Sequence, residues 1–497
     1  MNLRERAIAI AASERSVIFT LGFLIGYPNF LYHDLCWQLA EGRTLWSGTF
    51  PRTLPEAFAA GPWIDHEWLF EAFAWPWWAH GWWPVAAAIF TAVAALVPVL
   101  AVAIARRCGA SAFVANGAGY VTIVSAVTAY VPRPQTIAEA CFALELLVLL
   151  GPPRMLWLVL PLTILWANVH GSVTLAPLLV AVVAAGRAIE TRTLPPRAML
   201  VAFGLAAAGT LATPSGIATW IEAASFEHRP ELLVTFDWQP VTLGVLVNQI
   251  AAIGYGAILL TGGVPIARRN AVALLLLLVF APIYLLHQRF LPFFGVAAVP
   301  ALAIALGRSR LERRRRRRAA QAGPRGLWLA LPLALAIAAT AALRASESLR
   351  VEPELAATDA LIRESGFSGR LFAPFIAGGY LQLRQAPVQV LLDTHALPFG
   401  AGVWSDYAAI DAVSAGWDGA LERRRIRGVV ALDASALATA LRRTAGWRLA
   451  AQTKGYVLFV RGNAAGARRS AVTNAGPDAL RLGARSRHDE FARDPVR

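Results

Sequence analysis

The sequence predicts a mainly α protein, in which a polytopic membrane helix bundle of about 11 spans precedes a small extracytoplasmic α/β domain. Hydrophobic residues make up 57% of the 497 residues, and charged residues make up only 15%. The mean hydropathy is +0.51. A soluble domain usually carries about 25% charged residues, so this composition excludes a cytosolic enzyme. The 17 tryptophans suit long membrane–water boundaries, where indole rings are enriched.

The positive charge of the chain is concentrated in one place. The formal net charge is +15, and residues 308–318 contain eight arginines and one glutamate, which is about half of that excess. A basic run beside a predicted span indicates a cytoplasmic loop and not a nucleic-acid surface. Three cysteines, Cys36, Cys108 and Cys141, are too few for a disulfide framework or a zinc site. We expect them to be packing residues.

Several apolar stretches are long enough to be membrane-spanning helices. Such a helix needs about 20 mostly apolar residues, because each residue rises about 1.5 Å and the hydrocarbon layer is about 30 Å thick. The candidates are residues 16–32, 83–105, 112–130, 136–150, 155–169, 173–189, 199–213, 243–264, 271–286, 290–306 and 327–343.

Arginine placement gives the orientation of these spans. Basic residues are retained on the cytoplasmic side, and the arginine-rich segments fall in alternate loops of this arrangement. The N-terminus is therefore predicted to be cytoplasmic and the C-terminal region extracytoplasmic, in a plasma (inner) membrane protein. The first span follows Arg4, Arg6 and Arg15, but no small-residue cleavage site follows it. We expect it to remain as an anchor.

The composition becomes that of a soluble domain after the last predicted span, from about Glu352. Helices are predicted at 353–365 and 434–443, and strands at 371–373, 388–392, 429–432, 448–452 and 456–460. The predicted division is a transmembrane domain at 1–350 with an outer loop at 33–82, and an α/β domain at 351–462. Residues 463–497 lack periodicity and are predicted to be a disordered tail.

The unusual polar residues collect in the loops that the orientation places outside. Ionisable groups at helix ends that face one compartment often mark a substrate site. The candidates for catalysis are in the first outer loop. The candidates for substrate binding are in that loop and in later outer turns. The catalytic candidates are Asp34, Asp65, His66 and Glu67. The substrate-binding candidates are His33, Arg133, Asn168, His170, His228, Arg229, His287 and Arg289.

Several of these candidates have a structural role as the alternative to a functional one. Asp34 can be the N-cap of a helix over residues 35–45. The Asp65–Glu67 segment can simply begin a helix over residues 68–78. Asn168 and His170 can cap or bridge helices.

The basic candidates also have structural alternatives. Arg133 and Arg289 can anchor to lipid headgroups. His228 and Arg229 can be part of a solvated loop. We expect His80 and His395 to be structural.

A carboxylate, a histidine and an arginine at an outer membrane surface suit the transfer of a group away from a phosphate. The carboxylate can act as general base, and the arginine can stabilise charge that grows on the leaving phosphate. The sequence contains no P-loop or Rossmann motif for a nucleotide donor, so the donor is expected to be lipid-linked. The residues expected to hold the outer loop at the membrane surface are Trp37, Trp46, Trp63 and Trp68.

Eight short motifs resemble those of bacterial polytopic GT-C-type glycosyltransferase-like proteins. They recur in the same order and span the chain to about Arg461. They are His33-Asp34-x-x-Trp37-x-x-Ala40-x-Gly42-Arg43, Gly48-x-x-Pro51-Arg52, Pro62-Trp63-Ile64-Asp65-His66-Glu67-Trp68-Leu69-x-Glu71, Arg133-Pro134-Gln135, Trp166-Ala167-Asn168-Val169-His170-Gly171, Thr213-Pro214-Ser215-Gly216, Gly378-Gly379-Tyr380-Leu381 and Val390-Leu391-Leu392-Asp393.

This resemblance implies a GT-C fold, a sugar donor on polyprenyl phosphate, and an acidic residue of the first outer loop as catalytic base or metal ligand. The acid role transfers to Asp34 first, and to Asp65 and Glu67 second. The metal implied is divalent, Mg or Mn. Two positions depart from the group. Tyr32 and His33 stand where a second acidic residue often precedes Asp34, and Thr394-His395 stands where Gly-Arg usually follows Asp393.

The function expected is an inverting membrane glycosyltransferase that acts on an envelope glycan, lipid or protein. Two alternatives from other classes remain. A transporter or flippase for a lipid-linked glycan would need polar residues in the middle of its helices, where Glu145 is the main example. A non-catalytic scaffold of envelope assembly would use the outer domain to bind partners.

Overall fold

The computed structural model describes residues 18–19, 21–23, 30–125, 132–225, 228–229, 232, 238–245, 248–256, 270–307, 350–453 and 455–462. The chain forms two compact units. The helical unit contains Met1–Asn29, Ala87–His228 and Leu233–Ser348, and the mixed unit contains Phe30–Ala86, Arg229–Leu232 and Leu349–Arg497. The predicted span 327–343, the arginine run 308–318 and the predicted tail lie outside the described residues, as does most of the span 16–32.

The N-terminal part of the mixed unit is a short strand and two helices, β1 (Phe30–Leu31), α1 (His33–Trp46) and α2 (Trp68–Ala79). The two helices pack closely because Gly42 has no side chain. A Cβ at this position would collide with the backbone carbonyl oxygen of Glu71. Residues 35–42 of α1 are buried without interruption. Its polar residues Gln38 and Glu41 pair inside the protein with Glu67 and Gln382, which lie on other elements.

The helical unit is built mainly from ten described helices. They are α3 (Trp83–Arg107), α4 (Ala112–Ser125), α5 (Pro134–Leu149), α6 (Val159–Ala167), α7 (Leu175–Thr191), α8 (Arg197–Thr210), α9 (Ala218–Ser225), α10 (Ala271–Leu286), α11 (Leu291–Ala297) and α12 (Val299–Gly307). Its core consists mainly of aliphatic side chains and contains a cluster of aromatic rings. Phe142 on α5 contacts Phe280 on α10 and Phe293 on α11 edge-on, with ring centroids 5.2 and 5.5 Å apart.

Two helices in the described ranges are long and apolar enough to cross a membrane, Trp83–Arg107 and Gly171–Thr191. A third span results if Gln288–Ala297 and Val299–Gly307 are counted together, although they are bent by 53°. Pro300 accounts for this break, because proline lacks an amide hydrogen and its ring clashes with the preceding turn. Four other apolar helices are shorter, and the eleven-span arrangement stays a prediction.

The C-terminal part of the mixed unit is an α/β fold, as the sequence predicted. Its helices are α13 (Pro353–Ser365), α14 (Gly378–Leu383), α15 (Ala401–Asp411), α16 (Trp417–Arg423) and α17 (Ala436–Arg443). Its strands are β2 (Arg350–Val351), β3 (Gly369–Phe372), β4 (Val388–Val390), β5 (Gly428–Leu432), β6 (Trp447–Thr453) and β7 (Tyr456–Arg461).

Five of these strands form one sheet in the order β4-β3-β5-β7-β6. Strand β3 runs parallel to β4 and β5, and β7 runs antiparallel to β5 and β6. All five lie where the sequence predicted strands. The short strand β2 instead pairs with β1, with Phe30 opposite Arg350. This pairing brings the start of α1 to the start of α13, and His33 Nδ1 lies 3.4 Å from Glu352 Oε2.

Candidate active site

One face of α1 carries the polar residues of the candidate site. Asp34, Gln38 and Glu41 are spaced by four and three residues, so they lie on the same side of the helix. Gln38 Nε2 donates a hydrogen bond to Glu67 Oε2 at 2.8 Å, and Glu41 Oε1 accepts one from Gln382 Nε2 at 2.9 Å. Asp34 is the member of this face that reaches solvent, because its side chain is 31% exposed whereas Gln38 and Glu41 are buried.

Asp34 lies in the first turn of α1 and is not its N-cap. The N-cap residue is Tyr32, so the capping alternative for Asp34 is wrong. The carboxylate lies 3.7 Å from His33 Nε2. An acid in the first turn interacts favourably with the helix dipole, and this leaves a small structural role that does not depend on chemistry.

The Asp65-His66-Glu67 segment folds inward and begins α2. Asp65 is completely buried, and its Oδ1 accepts a hydrogen bond from the backbone amide of Glu67 at 2.9 Å. Glu67 occupies the N-cap position, but its carboxylate accepts from Gln38. His66 Nδ1 donates to the carbonyl oxygen of Ile64 at 3.1 Å, and its Nε2 lies 3.8 Å from Glu67 Oε1.

Glu41, Glu71, Asp393 and His395 belong to the same buried cluster, although the sequence did not place them in a site. The imidazole of His395 is fully buried. Its Nδ1 donates to Asp393 Oδ1 at 2.8 Å, and its Nε2 lies 3.9 Å from Glu41 Oε1. A signal was present, because Glu41 follows Asp34 at helical spacing and Glu71 stands in the quoted Asp65 motif. We name Glu41, Asp65, Glu71 and His395 the acid cluster.

Two tryptophans expected at the membrane surface instead enclose the acid cluster. The rings of Trp37 and Trp63 lie 4.2 and 5.0 Å from the His395 ring, between centroids, and each residue is only 5% exposed. The prediction that they contact the membrane surface is therefore wrong. Gly379 on α14 permits this packing, because a Cβ there would lie 2.8 Å from the Cβ of Trp37.

Burial changes the protonation of the acid cluster. Desolvation raises the pKa of Glu41 and of Asp65 to about 7 each. Glu71 is raised well above its ordinary pKa by complete burial, by the carboxyls of Asp65, Glu41 and Glu67, and by a hydrogen bond with Asp65. Asp65 Oδ2 and both Glu71 oxygens have no donor among the described residues, so a proton carried by Glu71 satisfies this pair. Burial lowers the pKa of His395, but neighbouring carboxylates, Asp393 first, raise it overall.

These pKa shifts predict that the mixed unit is less stable at alkaline pH. A carboxyl whose pKa is higher in the folded than in the unfolded state stabilises the fold at low pH. That stabilisation is lost as the pH rises from about 4 through 7 and beyond. Each proton held only by the folded state corresponds to about 1.4 kcal/mol of unfolding free energy per pH unit. The melting temperature of the purified protein should fall between pH 5 and pH 9.

Glu71→Gln should reduce this pH dependence, because glutamine keeps a neutral side chain that can donate to Asp65. The control is Glu364→Gln at an exposed position of α13, which should leave the pH dependence unchanged. Equal pH dependence in the wild type and Glu71→Gln would contradict the protonated state of Glu71.

The residues of this site do not fit the divalent metal that the family resemblance implies. Within the ranges that the structure describes, no three His, Cys, Asp or Glu side chains come together in a metal-binding arrangement. Glu67 accepts from Gln38, Glu41 accepts from Gln382, and Asp65 is paired with Glu71. We therefore assign no step to a metal ion.

The helical unit brings Arg133 and Arg289 to one place. Arg133 is the N-cap residue of α5, and Gln135 two residues later donates its side-chain amide to the carbonyl oxygen of Arg289 at 3.3 Å. The Arg289 guanidinium stacks on Trp238, 4.3 Å from the ring centroid. Stacking holds the plane of the Arg289 guanidinium against the indole ring.

A buried hydrogen-bond network fixes the turn before Arg289. His287 Nδ1 donates to the carbonyl oxygen of Trp238 at 2.9 Å. Asn248 is 1% exposed, donates to Gln288 Oε1 at 2.9 Å and accepts from the Tyr284 hydroxyl at 2.9 Å. The residue carrying the stacked guanidinium therefore follows a turn with little freedom.

Asn168 and His170 are also in the helical unit and are both buried. Asn168 Nδ2 donates to the carbonyl oxygens of Ile164 and Ala212 at 2.8 and 2.7 Å. It thus ties the end of α6 to the turn after α8, which is the bridging role left open above. His170 Nδ1 lies 2.7 Å from Ser172 Oγ.

The remaining candidates, His228 and Arg229, follow α9 in the chain. His228 is exposed. Arg229, in the mixed unit, donates to the carbonyl oxygen of Leu397 at 2.6 Å. The exposed His80 ends α2 and bonds to its own helix through the carbonyl oxygen of Pro76 at 2.7 Å, which agrees with a structural role.

No family model and no curated protein matches the chain by sequence. Solved structures match it by fold. Archaeal oligosaccharyltransferase AglB from Archaeoglobus fulgidus, in complex with an inhibitory peptide and a dolichol-phosphate, has a TM-score of 0.55 and 12% identity, over 90% of this chain and 74% of that chain.

Two further solved structures match the chain by fold. The Archaeoglobus fulgidus oligosaccharyltransferase tethered to an acceptor peptide has a TM-score of 0.54 and 12% identity, over 84% of this chain and 69% of that chain. Apo ArnT from Cupriavidus metallidurans has a TM-score of 0.50 and 13% identity, over 92% of this chain and 98% of that chain. The resemblance inferred from the motifs is confirmed at the level of fold: the chain has the GT-C-type fold of these polyprenyl-phosphate-dependent glycosyltransferases.

Proposed function

We propose that the protein is an inverting membrane glycosyltransferase that transfers a sugar from a polyprenyl-phosphate donor to a cell-envelope acceptor on the extracytoplasmic side. One observation carries this proposal. Within a GT-C-type fold, a solvent-reaching carboxylate, Asp34, lies on the helix face that also carries Glu41 of the buried acid cluster. No nucleotide-binding motif is present in the sequence, which favours a lipid-linked donor.

The proposed chemistry is a single displacement. Asp34 accepts the proton of an acceptor hydroxyl, the resulting oxygen attacks the anomeric carbon, and the bond from that carbon to the phosphate oxygen breaks. The configuration at the anomeric carbon is inverted. Asp34 is preferred to Asp65 as the base because Asp65 is completely buried and Asp34 is not. Asp65, His66 and Glu67 then position α1 and α2.

The proposed role of Arg133 and Arg289 is to bind the departing phosphate. A guanidinium can give two parallel hydrogen bonds to phosphate oxygens, and it stabilises the negative charge that grows as the bond breaks. The donor class is supported by AglB, whose structure contains a dolichol-phosphate. The other proposed substrate-binding residues are His33, Asn168, His170, His228, Arg229 and His287.

The orientation and the eleven spans form part of the same proposal. A reporter fused after Arg318 should be cytoplasmic, and a reporter fused after Arg350 should be extracytoplasmic, because the predicted span 327–343 separates them. Alkaline phosphatase and green fluorescent protein fusions measure the two compartments. If both fusions report the same side, the final span and the outer location of the α/β domain are both wrong.

The proposal is tested in cells by comparing the envelope glycans and lipids of a deletion strain with those of strains complemented by the wild type and by Asp34→Asn. The wild type should restore a sugar modification that the deletion strain lacks. Asp34→Asn should not restore it when the variant is expressed at the level of the wild type. Restoration by both would favour the scaffold alternative.

A transporter of lipid-linked glycans is the second candidate, because the structure buries two acids inside α5. Glu145 is fully buried, and neither carboxyl oxygen has a hydrogen-bond partner among the described residues. Glu139 accepts from Gln135 at 3.2 Å. Glu145→Gln should leave sugar transfer unchanged if the protein is a glycosyltransferase, and it should abolish translocation if the protein is a transporter.

A further inference from the structure

The pairing of strands β1 and β2 places Glu352 beside the first residue of α1. The two strands run parallel, with Leu31 opposite Val351. Helix α1 begins at His33, two residues after β1 ends, and α13 begins at Pro353, two residues after β2 ends. Because both strands point the same way, the starts of the two helices lie side by side. Residues that are 319 positions apart in the sequence thus meet at one place.

The Glu352 carboxylate turns to His33 and not to its own helix. Glu352 is the N-cap residue of α13, but its side chain makes no capping hydrogen bond, although N-cap side chains often accept one from the first turn of the helix. Its Oε2 lies 3.4 Å from His33 Nδ1 instead. An ionised carboxylate can only accept, so His33 Nδ1 carries the hydrogen of this bond.

The same imidazole ring reaches the proposed base with its other nitrogen. His33 Nε2 lies 3.7 Å from Asp34 Oδ1. The ring of Tyr32, which is buried, contacts the His33 ring edge-on, with 6.0 Å between centroids. A protonated imidazole has an N–H on each nitrogen, so it can pair with Glu352 and Asp34 at the same time. The Glu352 contact therefore sets the direction in which the ring meets Asp34.

The surroundings of His33 are acidic. Glu354 lies in the first turn of α13. Burial and the charge of Glu352 raise the pKa of Glu354, and His33 lowers it. Burial raises the pKa of Cys36 on α1, and the charges of Glu352 and Asp34 raise it further. These mutual effects show that carboxylates from the starts of two helices are close enough to act on one imidazole.

We propose that Glu352 is a positioning residue of the active site, which holds the His33 ring so that the ring fixes the Asp34 carboxylate for proton transfer. This inference rests on the proposed function of Asp34. Glu352 itself touches no substrate in this assignment, and no bond is made or broken at it. A base that is oriented by a partner, which a third group orients in turn, is a common arrangement in catalysis. The α/β part thereby supplies a residue on which the chemistry of the first outer loop depends.

Removal of the Glu352 carboxylate should slow the chemical step. Glu352→Ala should lower kcat by about tenfold, because one charge-assisted contact is lost, and it should leave donor affinity within about threefold. Glu352→Gln keeps an oxygen that can accept from His33 Nδ1, so it should recover part of the loss. Glu354→Gln is the matched control, because it removes a carboxylate two residues away and leaves the Glu352 contact in place. Normal kcat in Glu352→Ala, or an equal loss in the control, would overturn the proposal.

A double-mutant cycle tests whether Glu352 acts through His33. In a His33→Ala background, Glu352→Ala should lower kcat by less than about twofold further, because the group that Glu352 positions is gone. An equal loss in both backgrounds would overturn the proposal. Only variants with the melting temperature of the wild type enter the cycle, and Glu352→Gln takes the place of Glu352→Ala if alanine destabilises the fold.

The contact is tested without activity by ¹⁵N magnetic resonance of the whole protein labelled at histidine. His33 signals are identified by their loss in His33→Ala. The expected result is a hydrogen on His33 Nδ1 in the wild type, and a larger shift of these signals in Glu352→Gln than in Glu354→Gln. An Nδ1 without hydrogen, or equal shifts in the two variants, would overturn the contact. Absence of sugar transfer by the wild type would instead overturn the proposed function and remove Glu352 from catalysis, while the resonance result would stand.

Discussion

Asp34→Asn should lower kcat by about 10² to 10⁴ and leave the affinity for the donor largely unchanged. Asparagine has nearly the same shape as aspartate, but it cannot take the proton of the acceptor hydroxyl. The residue is one-third exposed and lies inside α1, so the substitution should not unfold the protein. Steady-state rates and donor affinity measured on the purified variant give the two quantities separately.

A matched control is Asp418→Asn. Asp418 is also an acid in the first turn of a helix, α16, and it is exposed. The loss of a first-turn carboxylate costs typically 0.3–1 kcal/mol of stability at either site, but only Asp34 should affect the rate. A fully active, normally folded Asp34→Asn enzyme would remove Asp34 from the chemistry and move the base to Glu67 or Asp65.

Arg289→Lys should raise the donor KM or lower kcat by about tenfold or more, because a charge-assisted hydrogen bond is worth about 1.5–3 kcal/mol. Lysine keeps the positive charge, but it cannot give two parallel hydrogen bonds, and it has no planar group to stack on Trp238. Arg133→Lys should have an effect of the same kind. Kinetics with varied donor concentration measure both parameters.

The control for Arg289→Lys is Arg370→Lys. The Arg370 guanidinium is also stacked on an aromatic ring, at 4.5 Å from the centroid of Phe58 in the mixed unit. This variant should be nearly as active as the wild type. Normal kinetics in both Arg133→Lys and Arg289→Lys would assign these residues to lipid headgroups, which is the alternative that the sequence left open.

The α/β part was predictable from sequence because its signals are local. The apolar runs that became β3 to β7 are short, alternate with polar stretches, and are bounded by turn residues. Helix α13 begins at Pro353 and ends before Gly366, which has a positive φ of 63°. Proline at a helix start and glycine after its end are strong sequence signals. The structure has both helix boundaries where the sequence placed them.

The acid cluster was not predictable because its contacts join distant parts of the chain. Glu41 pairs with Gln382, which is 341 residues away, and its other neighbour is His395. A sequence shows that α1 contains polar residues, but it does not show that they pair with residues of other elements instead of facing water. The same reason explains why Trp37 and Trp63 were assigned to the membrane surface. Both rings pack on His395.

The candidate arginines illustrate a second limit. Their positions at the ends of predicted spans were readable from the sequence, but the stacking of Arg289 on Trp238 and the bond from Gln135 were not. The bond from His287 to the carbonyl oxygen of Trp238 also joins residues that are 49 positions apart. Such contacts are set by the tertiary fold and are not visible in a sequence.

The central claim is that this chain transfers a sugar from a polyprenyl phosphate. The most direct measurement uses the purified wild-type protein in liposomes with a polyprenyl-phosphate-linked sugar and an envelope extract as acceptor, followed by mass spectrometry of the lipids and products. The account predicts that free polyprenyl phosphate and a glycosylated acceptor accumulate together, and that Asp34→Asn forms neither. Movement of the intact lipid-linked sugar across the bilayer without release of polyprenyl phosphate would contradict it.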